Sequence, residues 1–466
     1  MRILLVKARM TAFHGQAVPP LGLMYLSSAL KRAGYPEVRI LQPDLLPRET
    51  EPVKSALLEF KPHIVGLSAI TAEARSMHEL ARLSKRLLPE TLVVAGGPHP
   101  TGYAADCMND PAMDVAARGE GELTFLEIVR NHEAGKPLDA IKGITLRSGG
   151  RVAANPDREF VEDLDSLPYP DWDAIDIRAY QDFVPHSPLL FGSRSMGVFT
   201  SRGCPFHCTF CHNVMGKKFR AHSAGRVLEE WRILHDRHGI RRIEIYDDIF
   251  NFDRQRTLDI MRGAAASGMK LKLYLSNGIR GDLLDEEVID SFAEAGVVYM
   301  CTAVETGSPR LQREIRKGID FGKIQRNVAY AARKRIFVLG FFMMGFPGET
   351  PREVFQTIRM ACGMKLHAMM AAFCCGYRGT ELGDGLDDKR AVAADNDTYT
   401  YSGYAGFVNC SPMRDWQLVA LKMLMNILFY YNPFRIHRIL RDLPERSPRV
   451  WSLMLKKLVT RTLLPR

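Results

Sequence analysis

The chain predicts an α/β protein made of two successive βα series, a doubly wound sheet followed by an open, partial (β/α)6 barrel, with a helical C-terminal region. Three observations carry this expectation. Residues 1–145 alternate short, continuously apolar runs with helix-period stretches, the pattern of strands buried on both faces and covered by helices. A second series of the same kind begins near Met196 and supplies six further strand candidates, enough for an open barrel whose chemistry gathers at the strand C-terminal ends. The length of 466 residues, 46% hydrophobic and 25% charged, suits about three domains at roughly 150 residues each and excludes a disordered, collagenous or disulfide-rich chain.

The first series has candidate strands at 3–6, 38–41, 64–67, 92–95 and 115–117. The opening Met1-Arg-Ile-Leu-Leu-Val-Lys7 is too short an apolar run for a signal peptide and reads as a buried first strand. Ligands of a doubly wound sheet lie beyond the strand C-terminal ends. There the turns 66–71, 96–101 and 118–122 carry glycines, but none is a GxGxxG or a P-loop, so a nucleotide-phosphate site is not expected. A linker is expected over 146–190, where Pro168 and Pro170 interrupt any periodicity.

The second series, with its core over 191–385, has candidate strands at 196–200, 242–246, 271–275, 297–303, 338–343 and 368–373. The remaining C-terminal region, 386–466, holds an apolar stretch at 416–431 and two basic helical pieces at 434–443 and 449–464. The formal charge of the chain is +10, and residues 416–466, with ten Lys and Arg against Asp442 and Glu445, hold +8 of it. A nearly neutral body is not built to grip nucleic acid. In the last piece Trp451, Met454, Leu455 and Leu458 recur at helical spacing, with Lys456, Lys457 and Arg461 elsewhere. That pattern points either to a peripheral membrane contact or to a helix packed on the barrel with a solvated rim. No stretch reaches the ~18–20 apolar residues of a membrane-spanning helix.

Nine cysteines, an odd number in a chain without an export signal, point to a reducing cytoplasm where clustered thiols bind metal and isolated ones fill cores. Cys107, Cys301, Cys362 and Cys410 have no neighbour at ligand spacing, and the paired Cys374 and Cys375 read as small core residues or a substrate-side thiol. The cluster is Gly203-Cys204-Pro-Phe-His-Cys208-Thr-Phe-Cys211, directly after the first strand of the second series. Three thiols at this spacing suit a zinc site closed by His207 or His212, or an iron–sulfur cluster with one iron left open.

This loop, including Phe210 before the third cysteine, resembles the signature of radical S-adenosylmethionine (SAM) enzymes. The resemblance implies that Cys204, Cys208 and Cys211 hold a 4Fe-4S cluster whose fourth iron is chelated by SAM. It extends to Tyr246-Asp247-Asp248, Asn277 with Arg280, Glu305 and the Gly345-Phe-Pro-Gly-Glu-Thr350 turn, each at a strand end. Glu305, Asn277, Arg280 and Gly345 are the SAM-side residues it implies, while Asp247 and Asp248 serve either there or as helix caps. The sixth strand departs from the family pattern, reading Gly376-Tyr-Arg-Gly-Thr-Glu-Leu382 in place of a proline-rich turn.

Ahead of such a core, the first domain is similar to the flavodoxin-like cobalamin-binding domains of the cobalamin-dependent branch. The resemblance rests on 19–26, 61–68, 96–101 and 118–122, and it implies that Ser68, Thr71, Gly96 and Gly97 line the cleft for the corrin's nucleotide tail. His14 stands where a lower ligand would, but Ala12 and Ala17 replace the Asp and Gly of that motif, so cobalt without a histidine ligand is expected. The implied activity is C-methylation of an unactivated carbon of a small, lipid-like or tetrapyrrole substrate, driven by an external donor of the ferredoxin or flavodoxin type. The alternative is cyclisation, oxidation or rearrangement without methyl transfer.

Overall fold

In β1 (Ile3–Lys7) the unbroken apolar run sends alternate residues to opposite faces of a sheet. Ile3 and Leu5 join one core, Leu4 and Val6 the other. The computed structural model describes residues 1–9, 16–46, 51–148, 150–387, 390–391 and 407–452. Two units divide them, one spanning Met1–Phe183 and one beginning at Val184.

The first unit runs β1, α1 (Leu21–Arg32), β2 (Val38–Leu41), α2 (Glu51–Phe60), β3 (Ile64–Ser68), α3 (Ala74–Leu87), β4 (Leu92–Gly96), α4 (Pro98–Gly102), α5 (Ala104–Cys107), β5 (Val115–Ala117), α6 (Gly121–Glu133), β6 (Ile144–Ser148) and β7 (Arg151–Ala154). The strand order is β2-β1-β3-β4-β5-β6-β7, parallel through β5, with helices on both faces as expected of a doubly wound sheet. Residues of α1 and α6 cover one face, those of α2 and α3 the other. The sequence reading did not anticipate β6 and β7, which extend the edge antiparallel. The segment read as an extended crossing also packs here. Asp171 accepts from Ser27 at 2.6 Å and pairs with Lys31, and the Tyr180 hydroxyl donates to Gln42 at 2.6 Å.

The second unit begins with β8 (Ser195–Val198), followed by a two-residue ribbon, β9 (Ser201–Arg202) against β10 (Arg220–Ala221). Then come α7 (Ala224–His238), β11 (Arg242–Ile245), α8 (Arg254–Ala266), β12 (Lys272–Ile279), α9 (Glu286–Ala295), β13 (Val297–Glu305), α10 (Pro309–Glu314), α11 (Phe321–Arg333), β14 (Phe337–Met344), α12 (Pro351–Gly363), β15 (Ala368–Phe373), α13 (Glu381–Asp384), α14 (Asp415–Tyr430) and α15 (Pro433–Asp442). The six long strands pair in chain order and all in parallel, β8-β11-β12-β13-β14-β15. Sequential parallel order with a helix between strands is the connectivity of an open (β/α)6 barrel.

The C-terminal basic residues work inside this unit. Arg435 is buried and donates to the carbonyls of Cys362 at 2.8 Å, in the last turn of α12, and of Leu366 at 2.7 Å, just past it, while its guanidinium lies 3.6 Å from the Phe429 ring centroid. A cation is favoured at a helix C-terminus. Burial, helped by Arg438, pulls the Arg435 pKa down to about 10. Arg441 pairs with buried Asp442, which also binds His367. Glu445 accepts from Arg242, Lys272 and Tyr274 at the start of the strands. The tail charge that suggested a membrane surface is thus spent, over its described part, on packing. The amphipathic helix expected over 449–464 lies outside the described residues beyond Ser452. Among the described residues no helix is long and apolar enough to cross a membrane.

Replacing Arg435 by Ala strips the partner from these carbonyls and should cost roughly 2–4 kcal/mol. Thermal melting of the full chain should show a lowered midpoint, with Arg435→Lys recovering only part of it because an ammonium cannot fork between carbonyls.

Candidate functional site

The cysteine loop is rooted on one buried carboxylate. Asp247, just past the end of β11, accepts the Thr200 backbone N–H at 2.6 Å, the Thr200 hydroxyl at 2.5 Å and the Ser201 hydroxyl at 2.6 Å. Arg256 on α8 donates to the carbonyls of Thr200 at 2.6 Å and His222 at 2.7 Å, holding both ends of the ribbon that brackets the loop. Burial raises the Asp247 pKa, opposed by Arg256 and the three donors. Asp247 therefore does not cap the following helix; Asp253 does, accepting from Arg256 N–H.

Within the loop, Gly203 has φ +80°, and a Cβ there would lie 2.3 Å from the Lys218 carbonyl oxygen, so no other residue fits. Cys204 N–H donates to Gly216 at 3.3 Å and Cys211 N–H to Cys208 at 3.1 Å. Thr209 is held on both sides, donating to Ile315 at 3.1 Å and accepting from Leu382 at 2.8 Å. The atypical turn after β15 thus serves the loop through its backbone. Phe210 packs edge-on against Phe346 with centroids 6.0 Å apart.

All three thiols are half-buried. Burial pushes Cys204 up and Cys211 up to about 12. Among the described residues, the spacing below 4.8 Å that a single ion demands is met by a different group and not by these three. A cubane takes each thiolate on a separate iron and requires no such convergence. His207 and His212 are exposed, and His212 lies 3.8 Å from Asp248. The donor set fits an iron–sulfur cluster better than a zinc ion.

Glu305 ends β13 at a register shift and has φ +67°, a left-handed conformation that costs a non-glycine residue about 1–3 kcal/mol and clusters at functional sites. Its carboxylate pairs with Lys317 at 2.9 Å. Burial alone would lower the Lys317 pKa, but Glu305, with Cys208 behind it, leaves it raised. Arg280 lies 4.1 Å over the Phe206 ring inside the cysteine loop, donates to the Lys317 carbonyl at 2.9 Å and pairs with Asp282 at 2.7 Å. It therefore fastens three segments together. The Asn277 amide donates to the carbonyls of Tyr246 at 3.0 Å and Asp247 at 3.2 Å, leaving its oxygen as the available group.

Gly345 has φ +87°, and its N–H donates to Glu349 at 2.5 Å, with Phe346 N–H at 3.1 Å on the same oxygen. The other Glu349 oxygen is buried without a partner, and burial lifts the carboxyl to about 7. Glu349, Lys317 and Phe206 were not singled out from the sequence. Glu349 and Phe206 lie within the Gly345–Thr350 turn and the cysteine loop, but their roles, like that of Lys317, follow only from contacts across the fold. Cys410, with no neighbour at ligand spacing in the sequence, is buried as a core residue and shares a thiol hydrogen bond with buried Cys374.

In the first unit the turns at the strand ends interlock. Ala69 N–H donates to Gly96 at 3.2 Å, His99 N–H to Ala69 at 3.0 Å and Gly119 N–H to the Thr101 hydroxyl at 3.1 Å. Gly97 has φ +96°, and a Cβ there would crowd the Ala69 oxygen at 3.0 Å and the Ser68 hydroxyl at 3.1 Å. A Cβ on Gly96 would meet nothing within 4 Å, the open space a bulky ligand needs. Thr71 starts a short 3-10 turn ending at buried Glu73, which pairs with Lys7 at the end of β1. These features fit a corrin tail beside Ser68, Thr71, Gly96 and Gly97. His14 lies outside the described residues.

Two families match the chain: the B12 binding domain over residues 10–129 and the radical SAM superfamily over 198–361. A Pyrococcus horikoshii protein named as an uncharacterized methyltransferase is 33% identical over 390 residues, 82% of each chain. An anaerobic magnesium-protoporphyrin IX monomethyl ester cyclase of Cereibacter sphaeroides is 26% identical over 92% of this chain and 69% of its own. Among solved structures, a radical SAM methyltransferase of Kitasatospora setae with cobalamin and a [4Fe-4S] cluster bound superposes with a TM-score of 0.67 at 18% identity, covering 82% of this chain and 74% of that one. The last likeness is one of fold.

Asp247→Ala should leave the far-UV circular dichroism unchanged while reducing iron and sulfide retained after anaerobic reconstitution by more than half. Retention equal to the parent would show that the loop does not depend on this root. Because the Glu349 carboxyl titrates higher in the fold than its ordinary 4.5, its stabilising contribution is complete below about 4.5 and is lost as pH rises toward about 7. The melting midpoint of Glu349→Gln should therefore rise relative to the parent between those pH values.

Proposed function

Because the chain belongs to the radical SAM superfamily and carries a B12-binding domain, within a family of cobalamin-dependent methyltransferases, we propose that it is a C-methyltransferase acting on an unactivated carbon of a small lipid-like or tetrapyrrole substrate. Cys204, Cys208 and Cys211 hold the 4Fe-4S cluster in this reading. Glu305, Asn277 and Gly345 contact SAM, Arg280 positions the loop, and Ser68, Thr71, Gly96 and Gly97 receive the corrin. When bound, these groups supply one-electron cleavage of SAM and methyl transfer, chemistry that belongs to the cofactors.

The observation that carries the reading is that one chain holds both a three-thiol loop at a strand end and an open glycine turn in a B12-binding fold. The protein's own part is positioning and shielding. Lys317 sets a positive charge beside Cys208 and Glu305, offsetting the thiolate charge a cluster requires. Phe206 and Phe219 both pack on Phe252, and Phe210 on Phe346, giving the loop an apolar flank. The cyclase relative favours a second reading, in which the same cofactors cyclise or oxidise the substrate without methyl transfer.

Anaerobically reconstituted full-length protein, given a one-electron donor, methyl-labelled SAM and lipid or tetrapyrrole candidates, should place label in the product. Deoxyadenosine formation with an altered but unlabelled product would replace methylation by the second reading. Cys208→Ala should abolish both outcomes.

A further inference from the structure

Beside the Gly96–Gly97 turn assigned to the corrin tail, the first unit gathers three metal-type donors whose side chains the proposed reaction does not use. His78 on α3, His99 on α4 and Cys107 at the end of α5 each bring a ligand atom within 4.8 Å of the other two. α3 is separated in sequence from the adjoining α4 and α5, so the convergence of His78 on the other two is tertiary. Cys107 and His99 are buried at 0% and 1% exposure. His99 Nδ1 is buried with no hydrogen-bond partner, a state that costs roughly 1–3 kcal/mol unless something fills it.

The surroundings are those of a ligand set. His78 Nδ1 lies 2.9 Å from the Asp110 carboxylate. That contact selects the tautomer with the proton on Nδ1 and leaves Nε2 as the lone-pair nitrogen, the carboxylate–histidine arrangement common around bound metals. Asp110 is itself fixed, accepting Ala112 N–H at 3.0 Å and pairing with Arg82 at 2.9 Å. His99 is oriented by stacking on Tyr103, centroids 5.0 Å apart. A surface cavity of about 1480 Å³, lined by His78, His99, Asp106, Asn109 and Asp110 among others, reaches the group, giving an entry path and room for water.

We infer that His78, His99 and Cys107 form a binding site for a divalent metal of the zinc class, with water from the cavity as fourth ligand. Two imidazoles and one thiolate are borderline-to-soft donors that suit zinc and disfavour magnesium or calcium. Binding takes Cys107 as thiolate and releases its proton to solvent; no electron moves. The bound ion would tie α3 to the α4–α5 segment that follows Gly97, stiffening the turn assigned to the corrin.

The test uses the full-length chain incubated with Zn²⁺ alone and desalted, then examined by metal analysis and zinc K-edge absorption. Iron and cobalt do not interfere at that edge. About one zinc per chain is expected, with one sulfur near 2.3 Å and two imidazole nitrogens near 2.0–2.1 Å. His78→Gln and Cys107→Ser should each lower retained zinc at least fivefold while keeping the parent's corrin content, which reports an intact fold. A zinc-free wild type, a three-sulfur shell signalling occupation of Cys204, Cys208 and Cys211, or full retention by both variants would overturn the site. None of these readouts requires SAM turnover, so failure here and failure of the proposed methylation are distinguishable.

Discussion

The second unit's chemistry depends on one buried carboxylate. Asp247 offers two oxygens to three donors of Thr200 and Ser201, and bonds from ordinary donors to a charged acceptor contribute about 1.5–3 kcal/mol each where burial does not cancel them. Desolvation works against it and raises its pKa. The arrangement is strong only because Arg256 and every nearby donor converge on the same two residues. From this root the chain turns at Gly203, immediately before Cys204, where only a glycine fits. Everything else near the loop, from Arg280 over Phe206 to Leu382 on Thr209, fastens a loop whose origin Asp247 has already determined.

Much of this was legible in the chain. Strands buried on both faces announce themselves by uninterrupted apolar runs, and eleven such strands appear with ends within a few residues of those expected. The three cysteines were visible because this ligand set falls within one short loop. What stayed hidden depends on distance in the sequence. Lys317 reaches Glu305 across α10, Cys374 meets Cys410 from 36 positions away, and Asp247 stays open between a cap and a site residue because an acid before a helix is so often a cap. The β6–β7 edge was missed for another reason. Arg151–Ala154 is exposed along its whole length, so no hydrophobic pattern marks it, and only the Gly149-Gly150 pair hints at a hairpin.

The charge distribution changes meaning with the fold. Ten basic residues in the last 51 positions suggest a surface for anions. Among the described residues Arg435 instead caps carbonyls at the end of α12, Arg441 serves Asp442, and the acid Glu445 gathers Arg242, Lys272 and Tyr274 at the start of the strands. This described part of the tail closes the end of the sheet opposite the cysteine loop. A net charge is a sum over positions, and burial decides which of them a partner can feel.

The central claim is that one chain joins a cysteine-bound cluster to a corrin. Iron, sulfide and cobalt quantified in the full-length protein purified and reconstituted without oxygen test it most directly. The account predicts about four irons, four sulfides and one cobalt per chain, with iron lost and cobalt kept when Cys204, Cys208 and Cys211 are replaced by Ala. Iron retained by that variant, or no cobalt in the parent, would contradict it.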